Sequence, residues 1–95
     1  MYSKVYWVTC PAEQSSQLIE HYDSVVTPAI QSSEKHIGQQ LIEISSGRWI
    51  LISQYVSHDA VTVAEAMVNK LISRMVEKFD MQFEVIGEGN ATRSI

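Results

Sequence analysis

The chain has 95 residues, which is enough for one folded domain and no more. Its composition, 45% apolar and 19% charged, is typical of a globular domain and excludes intrinsic disorder as the main state. Seven Lys and Arg residues against eleven Asp and Glu residues give a formal net charge of −4. Because this balance attracts neither phosphate backbones nor anionic lipid, the sequence predicts no nucleic-acid partner and no membrane partner.

Cysteine usage points to a reducing compartment. Cys10 is the single cysteine, so neither an intrachain disulfide nor a multi-cysteine metal site can form. No secretory signal is evident, and no apolar run approaches the roughly 18–20 residues that cross a bilayer. We therefore expect a cytoplasmic protein.

The first half of the chain predicts a strand, a helix and a second strand. Residues 2–10 are rich in β-branched and aromatic side chains and stop at Pro11, which predicts strand one. Apolar residues recur at helical spacing over 12–33, and Pro28 is expected to kink this helix or end its regular part near Thr27. Residues 36–45 then predict strand two.

The second half predicts a hairpin partner, a helix and a last strand. The turn at Gly47 joins strand two to strand three at 48–56. A helix over 57–78 carries a regular apolar stripe, and strand four is predicted at 81–86. The polar residues 87–95 are expected to form a loosely held tail.

The order βαββαβ predicts an α+β ferredoxin-like sandwich, with a four-stranded antiparallel sheet and both helices on one face. We expect a single domain over residues 1–86. Strands one and three are expected side by side at the centre of the sheet and parallel to each other.

Strand three predicts an assembly because it is apolar on both faces. Trp49, Leu51 and Tyr55 occupy its odd positions, while Ile50 and Ile52 occupy even ones. Two helices cover only one face, and burying a few aromatic side chains of the other is worth several kcal/mol at about 25 cal/mol per Å². We therefore expect a homodimer through the sheet faces, forming an α/β barrel. The alternatives are a monomer with a ligand groove on that face, or a face on which a few scattered aromatic side chains are simply exposed.

Three residues are candidates for catalysis. Cys10 ends strand one and His58 follows strand three, which are neighbouring strand ends in the expected arrangement, so the two could form a nucleophilic dyad. The alternative gives Cys10 the role of a small apolar core residue and His58 that of a helix cap. His36, at the start of strand two, is a candidate general base for a phenol-like substrate.

Aromatic residues on the central strands are candidates for ligand binding. Trp7, Trp49 and Tyr55 share odd positions and would line a cavity for a small apolar or aromatic ligand, with Gln40 as a hydrogen-bonding group. The alternative is that these rings form the dimer core. No histidine or carboxylate spacing is typical of a metal site, and no Gly-rich phosphate loop is present, so we expect no metal.

The architecture resembles the dimeric α/β-barrel superfamily, most closely the antibiotic-biosynthesis-monooxygenase-like and stress-responsive barrel domains. Four features over residues 2–86 carry the resemblance: the start of strand one, Pro28 late in the first helix, Gly38 in strand two, and the helix entry at residues 57–60. Gly38 follows Ile37 where that family has a proline. The resemblance implies a cavity in each protomer and a homodimer.

Members of this superfamily differ in their activity, so the resemblance implies more than one possible function. Some oxidise polycyclic aromatic substrates with O2 and without metal or flavin, whereas others degrade haem with an Asn on strand one, a Trp and a His. Strand one has no Asn here, since the two asparagines are Asn69 and Asn90. One function that the resemblance implies is therefore a monooxygenase-like enzyme without a cofactor that acts on a small aromatic or quinone-like molecule. The alternative is a non-catalytic ligand-binding or accessory dimerisation domain.

Overall fold

The computed structural model covers residues 1–95 and has the predicted fold class. Its sheet has four antiparallel strands in the order β2-β3-β1-β4. The elements are β1 (Tyr2–Thr9), α1 (residues 12–31), β2 (His36–Ser45), β3 (Arg48–Tyr55), α2 (His58–Phe79) and β4 (Gln82–Asn90). Strand two and the tight turn at Gly47 match the sequence prediction.

The central strands β1 and β3 are adjacent, but the expected parallel arrangement is wrong. They pair antiparallel, with Tyr2 opposite Tyr55 and Thr9 opposite Arg48. The crossover through α1 makes β1 run in the same direction as β2, and the hairpin then reverses the chain into β3. The start of β1 therefore adjoins the end of β3, and this decides which candidate residues can meet.

Helix α1 is one helical segment that changes pitch along its length. It begins as a 3₁₀ turn at Ala12–Gln14, continues as α-helix over Ser15–His21, widens to a π-helix over Tyr22–Val26 and returns to α-helix over Thr27–Gln31. Because Pro28 has no N–H, the helix loses a regular hydrogen bond just where the π-helical segment ends. The irregularity expected near Thr27 is thus accommodated within a helix that continues past it.

The turn at Gly47 fixes the far end of β1. Gly47 has φ +78°, a left-handed conformation that favours glycine, and a Cβ there would clash with the carbonyl oxygen of Cys10. The Cys10 N–H donates to the Gly47 carbonyl at 2.9 Å. The hairpin and the end of β1 are therefore held together by a contact that only glycine permits.

The remaining elements close the fold. Ser57 caps α2, its Oγ accepting from the Ala60 N–H at 3.3 Å. Strand β4 continues to Asn90 and, after a bulge, pairs with the first residues of β1, so residues 87–90, which were expected in the tail, are strand. Residues 91–95 have no regular secondary structure.

The two faces of the sheet differ in what covers them. On the covered face, side chains of the central strands pack against both helices in the main core, which includes Tyr6, Val8, Leu18, Val26, Ile30, Trp49, Leu51, Met75 and Phe79. The open face presents Val5, Trp7, Ile42, Ile50 and Ile52, none of which belongs to a core cluster. The helices therefore cover one apolar face and leave the other without a partner.

Candidate functional site

A cleft opens between α1 and the edge strand β2 on the covered face. Its volume is about 440 Å³, within the range of small-molecule sites. We call it the α1–β2 cleft, and it is lined by Tyr22, Thr27, Ile30, Gln31, His36, Ile37, Gly38 and Gln39. No Asp, Glu, Lys or Arg is among these residues, so the cleft suits an uncharged ligand.

A smaller void lies deeper, between the helices and the sheet. It measures about 20 Å³, room for about one water molecule, and apolar side chains form most of its wall. Tyr22, Ile30 and Gln39 line both the void and the α1–β2 cleft. These three side chains therefore separate the two spaces.

A chain of polar side chains runs along that partition. The Tyr22 hydroxyl donates to Gln39 Oε1, and Gln39 Nε2 donates to Ser53 Oγ at 2.5 Å. Burial, with a smaller contribution from the charge of Asp23, raises the pKa of Tyr22 to about 12. Tyr22 is therefore a protonated donor at neutral pH, and the Gln39 amide has a partner on each side.

His36 is the other titratable residue of the cleft. Its Nδ1 shares a hydrogen bond of 2.8 Å with Ser33 Oγ, and its ring lies 4.4 Å from the ring of Tyr55 between centroids. Its Nε2 is buried and has no hydrogen-bond partner. Because burial lowers the pKa of His36, the imidazole is neutral at neutral pH and able to accept a proton.

The structure distributes the candidate aromatic residues over both faces. Trp49 and Tyr55 are buried on the covered face, with Tyr55 behind His36 and Trp49 near the other end of β3. Trp7 lies on the open face because the register sets Val8, not Trp7, opposite Trp49. The odd positions of two antiparallel strands therefore do not share a face here, so these rings do not line one cavity.

The two glutamines of β2 also separate. Gln40 is exposed on the open face, opposite Ile52, whereas its neighbour Gln39 lies in the α1–β2 cleft. Alternation along the strand places consecutive side chains on opposite faces. The hydrogen-bonding glutamine of the cleft is thus Gln39.

The expected meeting of Cys10 and His58 does not occur. Cys10 follows the last residue of β1 and packs at the edge of the main core, while His58 is exposed and its ring lies 4.9 Å from the ring of Tyr2, the first residue of β1. The length of β1, roughly 25 Å for eight residues, separates them. The dyad depended on a parallel arrangement of β1 and β3 and is wrong.

Sequence reasoning missed Tyr22 and Ser53 as members of a polar cluster. Tyr22 lies among the residues with helical spacing over 12–33, and that spacing does not indicate a hydrogen-bonding role for its hydroxyl. Ser53 carried a readable signal, because it is a polar residue at a core-facing position between Leu51 and Tyr55. A buried hydroxyl needs a hydrogen-bond partner, and here Gln39 supplies it.

No three His, Cys, Asp or Glu side chains come together in a group that could hold a metal ion. No helix is long and apolar enough to cross a bilayer.

Solved structures share this fold over nearly the whole chain. A dimeric ferredoxin-like protein from an uncultured marine organism matches with TM-score 0.76 and 10% identity, covering 100% of this chain and 98% of the other. The haem degrader MhuD from Mycobacterium tuberculosis, with two haems bound in its active site, matches with TM-score 0.74 and 14% identity, covering 100% and 99%. SnoaB, a cofactor-independent oxygenase from Streptomyces nogalater, matches with TM-score 0.72 and 13% identity, covering 99% and 95%.

These likenesses concern the fold. No protein-family model and no curated protein matches the chain in sequence. Other structures of the same fold carry provisional assignments as antibiotic biosynthesis monooxygenases. The resemblance inferred from the sequence is thereby confirmed as a structural likeness to antibiotic-biosynthesis-monooxygenase-like proteins of ferredoxin-like fold.

Proposed function

We propose that the protein is a monooxygenase-like enzyme that binds a small aromatic or quinone-like molecule in the α1–β2 cleft and oxidises it with O2. The observation that carries the proposal is a cleft of about 440 Å³ that holds a neutral histidine beside a hydrogen-bonded polar chain. An enzyme of this kind needs a titratable group inside its cavity, and His36 supplies one. The structural likeness to a cofactor-independent oxygenase supports the reaction class.

The lining of the cleft favours an uncharged, flat ligand. Tyr22, Ile30 and Ile37 offer apolar surface, and the polar groups are hydroxyls, amides and a neutral imidazole. Haem carries two carboxylates, and the cleft has no Lys or Arg to bind them. We therefore do not extend the haem degradation of MhuD to this chain.

His36 is the proposed general base. With the Nδ1–H donating to Ser33 Oγ, Nε2 holds a free lone pair. Because Nε2 is buried in the unliganded protein, the imidazole ring must turn toward the cleft before Nε2 takes a proton from an acidic C–H or O–H of the substrate. The substrate anion is the electron source: a CH2 carbon is oxidised to C=O by one oxygen of O2. The other oxygen leaves as water with the two hydrogens of that carbon, so no further reductant is needed.

Oxygen uptake with 2-hydroxyanthrone, a flat uncharged ketone with an acidic CH2 group and a hydroxyl donor, tests this proposal. We expect the wild-type protein to accelerate uptake and the His36→Gln variant to lower kcat by about 100-fold. His58→Gln is the matched control, because His58 is exposed and does not line the α1–β2 cleft, and it should keep full activity. Equal rates for both variants would contradict the role of His36.

The second candidate function is a non-catalytic ligand-binding or accessory domain. It is favoured by the size of the inner void, about 20 Å³, which leaves the space between helices and sheet nearly filled in the unliganded protein. Saturable binding of 2-hydroxyanthrone without any acceleration of O2 uptake would select this function over the enzyme.

We also propose a homodimer in which the open faces of two sheets meet. Val5, Trp7, Ile50 and Ile52 form a continuous apolar patch across the two central strands. Burial of such a patch contributes about 25 cal/mol per Å², and two-fold pairing covers both copies at once. The dimeric ferredoxin-like relative supports this assembly.

A further inference from the structure

We propose that Gln39 determines ligand specificity through an exchange of hydrogen-bond donors. In the unliganded protein the Tyr22 hydroxyl donates to Gln39 Oε1, and a hydroxyl of the ligand replaces it as the donor. This inference rests on the proposed function, since it concerns the ligand of the same cleft. Gln39 Oε1 is the atom that recognises the ligand, and Tyr22 is the side chain that must move for the ligand to reach that atom.

The hydrogen bonds of Gln39 define what the ligand must supply. Gln39 Nε2 donates to Ser53 Oγ, and Ser53 is a residue of β3 that is only 2% exposed. Oε1 is an acceptor that Tyr22 satisfies. When Tyr22 leaves, the acceptor needs a new donor, because the bound ligand excludes water from the carbonyl and an unsatisfied carbonyl is then costly. A ligand with a hydroxyl provides that donor, and a ligand with only carbonyl or ether oxygens does not.

The position of Tyr22 makes it the movable partner. Tyr22 is the first residue of the π-helical segment of α1, and its side chain lines both the α1–β2 cleft and the inner void. π-Helical segments interrupt the regular hydrogen bonding of a helix and occur often at functional sites. Displacement of the Tyr22 ring joins the two spaces into one deeper chamber, in which the ligand ring takes the place of the tyrosine ring.

Matched naphthalene probes test the exchange by calorimetric titration. 2-Naphthol carries a hydroxyl donor, whereas 2-methoxynaphthalene has nearly the same shape and no donor. We expect the wild-type protein to bind 2-naphthol about tenfold more tightly than the ether. Tyr22→Phe should strengthen 2-naphthol binding by about fivefold, because it removes the competing hydroxyl from Gln39 while keeping the ring.

A pair of glutamine variants supplies the control. Gln39→Leu should abolish the preference for 2-naphthol, while Gln40→Leu, the neighbouring residue on the open face, should retain it. Circular dichroism and thermal unfolding establish that each variant is folded, and Tyr22→Phe keeps the test decisive if Gln39→Leu does not fold.

The outcomes separate this inference from the function on which it rests. Equal affinity of the wild-type protein for both probes, a preference that survives in Gln39→Leu, or weaker 2-naphthol binding by Tyr22→Phe would each overturn the exchange while leaving aromatic binding in place. Failure of both probes to bind the wild-type protein would overturn the proposed ligand class together with the exchange.

Discussion

The two faces of the sheet are built from similar residues but differ in what covers them. On the covered face, Val8 and Leu51 are buried under both helices, whereas Val5 and Ile52 of the same strands remain half-buried on the open face. A tryptophan occurs on each: Trp49 is 2% exposed on the covered face, and Trp7 is half-buried on the open face. The composition of the strands alone therefore does not distinguish the face that the helices cover from the face that we propose as the dimer interface.

The difference lies in the polar residues placed among the apolar ones. Behind the α1–β2 cleft the covered face holds Ser53, which anchors Gln39 and, through it, Tyr22. Buried polar groups of this kind need fixed partners, so they define a geometry that a ligand can exploit. The centre of the open face is aliphatic and aromatic, which suits pairing with an identical surface.

The largest expected effect compares the two tryptophans. Trp49→Ala removes a buried ring from the core and should lower the free energy of unfolding of the protomer by about 3–5 kcal/mol. Trp7→Ala should change it by less than about 1 kcal/mol when measured at a protein concentration where the protomer is monomeric. Urea denaturation of both variants checks this, and equal losses would mean that the two faces are not distinct.

The second effect concerns assembly. Ile52→Lys places a charge at the centre of the open face and should raise the dimer dissociation constant by at least about 100-fold, because the ammonium would be buried without a partner. Sedimentation equilibrium at micromolar protein measures this. A wild-type mass of 10.7 kDa that does not change with concentration would refute the dimer itself.

The third effect concerns the polar chain of the covered face. Ser53→Ala leaves Gln39 Nε2 without its acceptor and should cost about 1–2 kcal/mol of unfolding free energy. Ser45→Ala, at an exposed position of β2, is the matched control and should change stability by less than about 0.5 kcal/mol. A Ser53→Ala variant as stable as the control would show that the chain is dispensable for folding.

The smallest effect is a pH dependence located on the covered face. Burial lowers the pKa of both His21 and His36 below the unfolded value of 6.5, with Lys78 and then Arg74 as further causes for His21. The unfolded chain therefore binds protons more readily, so stability is fully present above about pH 7 and declines as the pH falls through 6.5 toward the folded values.

Unfolding titrations at about pH 7.5 and about pH 5.5 measure that decline. His36→Gln should reduce it, because the variant removes one of the two groups that take up a proton on unfolding. A decline of the same size in His36→Gln and in the wild-type protein would contradict the contribution of His36.

Much of the fold could be predicted from local pattern, and the site could not. The runs of β-branched and other apolar residues and the turn at Gly47 define β2 and the start of β3 without any tertiary information. The cleft depends instead on the register and direction in which the strands pair. Trp7 and Trp49 both occupy odd positions, but whether they share a face is not known until the pairing of β1 with β3 is known. The π-helical segment at Tyr22 shifts the helical phase, so helical spacing alone misplaces that side chain.

We propose that the α1–β2 cleft, and not the open face, receives the ligand. A titration of the ¹⁵N-labelled protein with 2-naphthol, followed by amide chemical shifts, tests it most directly. We predict that the largest shifts fall on Tyr22, His36 and Gln39, while Trp7 and Ile50 stay unchanged. Shifts concentrated on Trp7 and Ile50 instead would contradict the account.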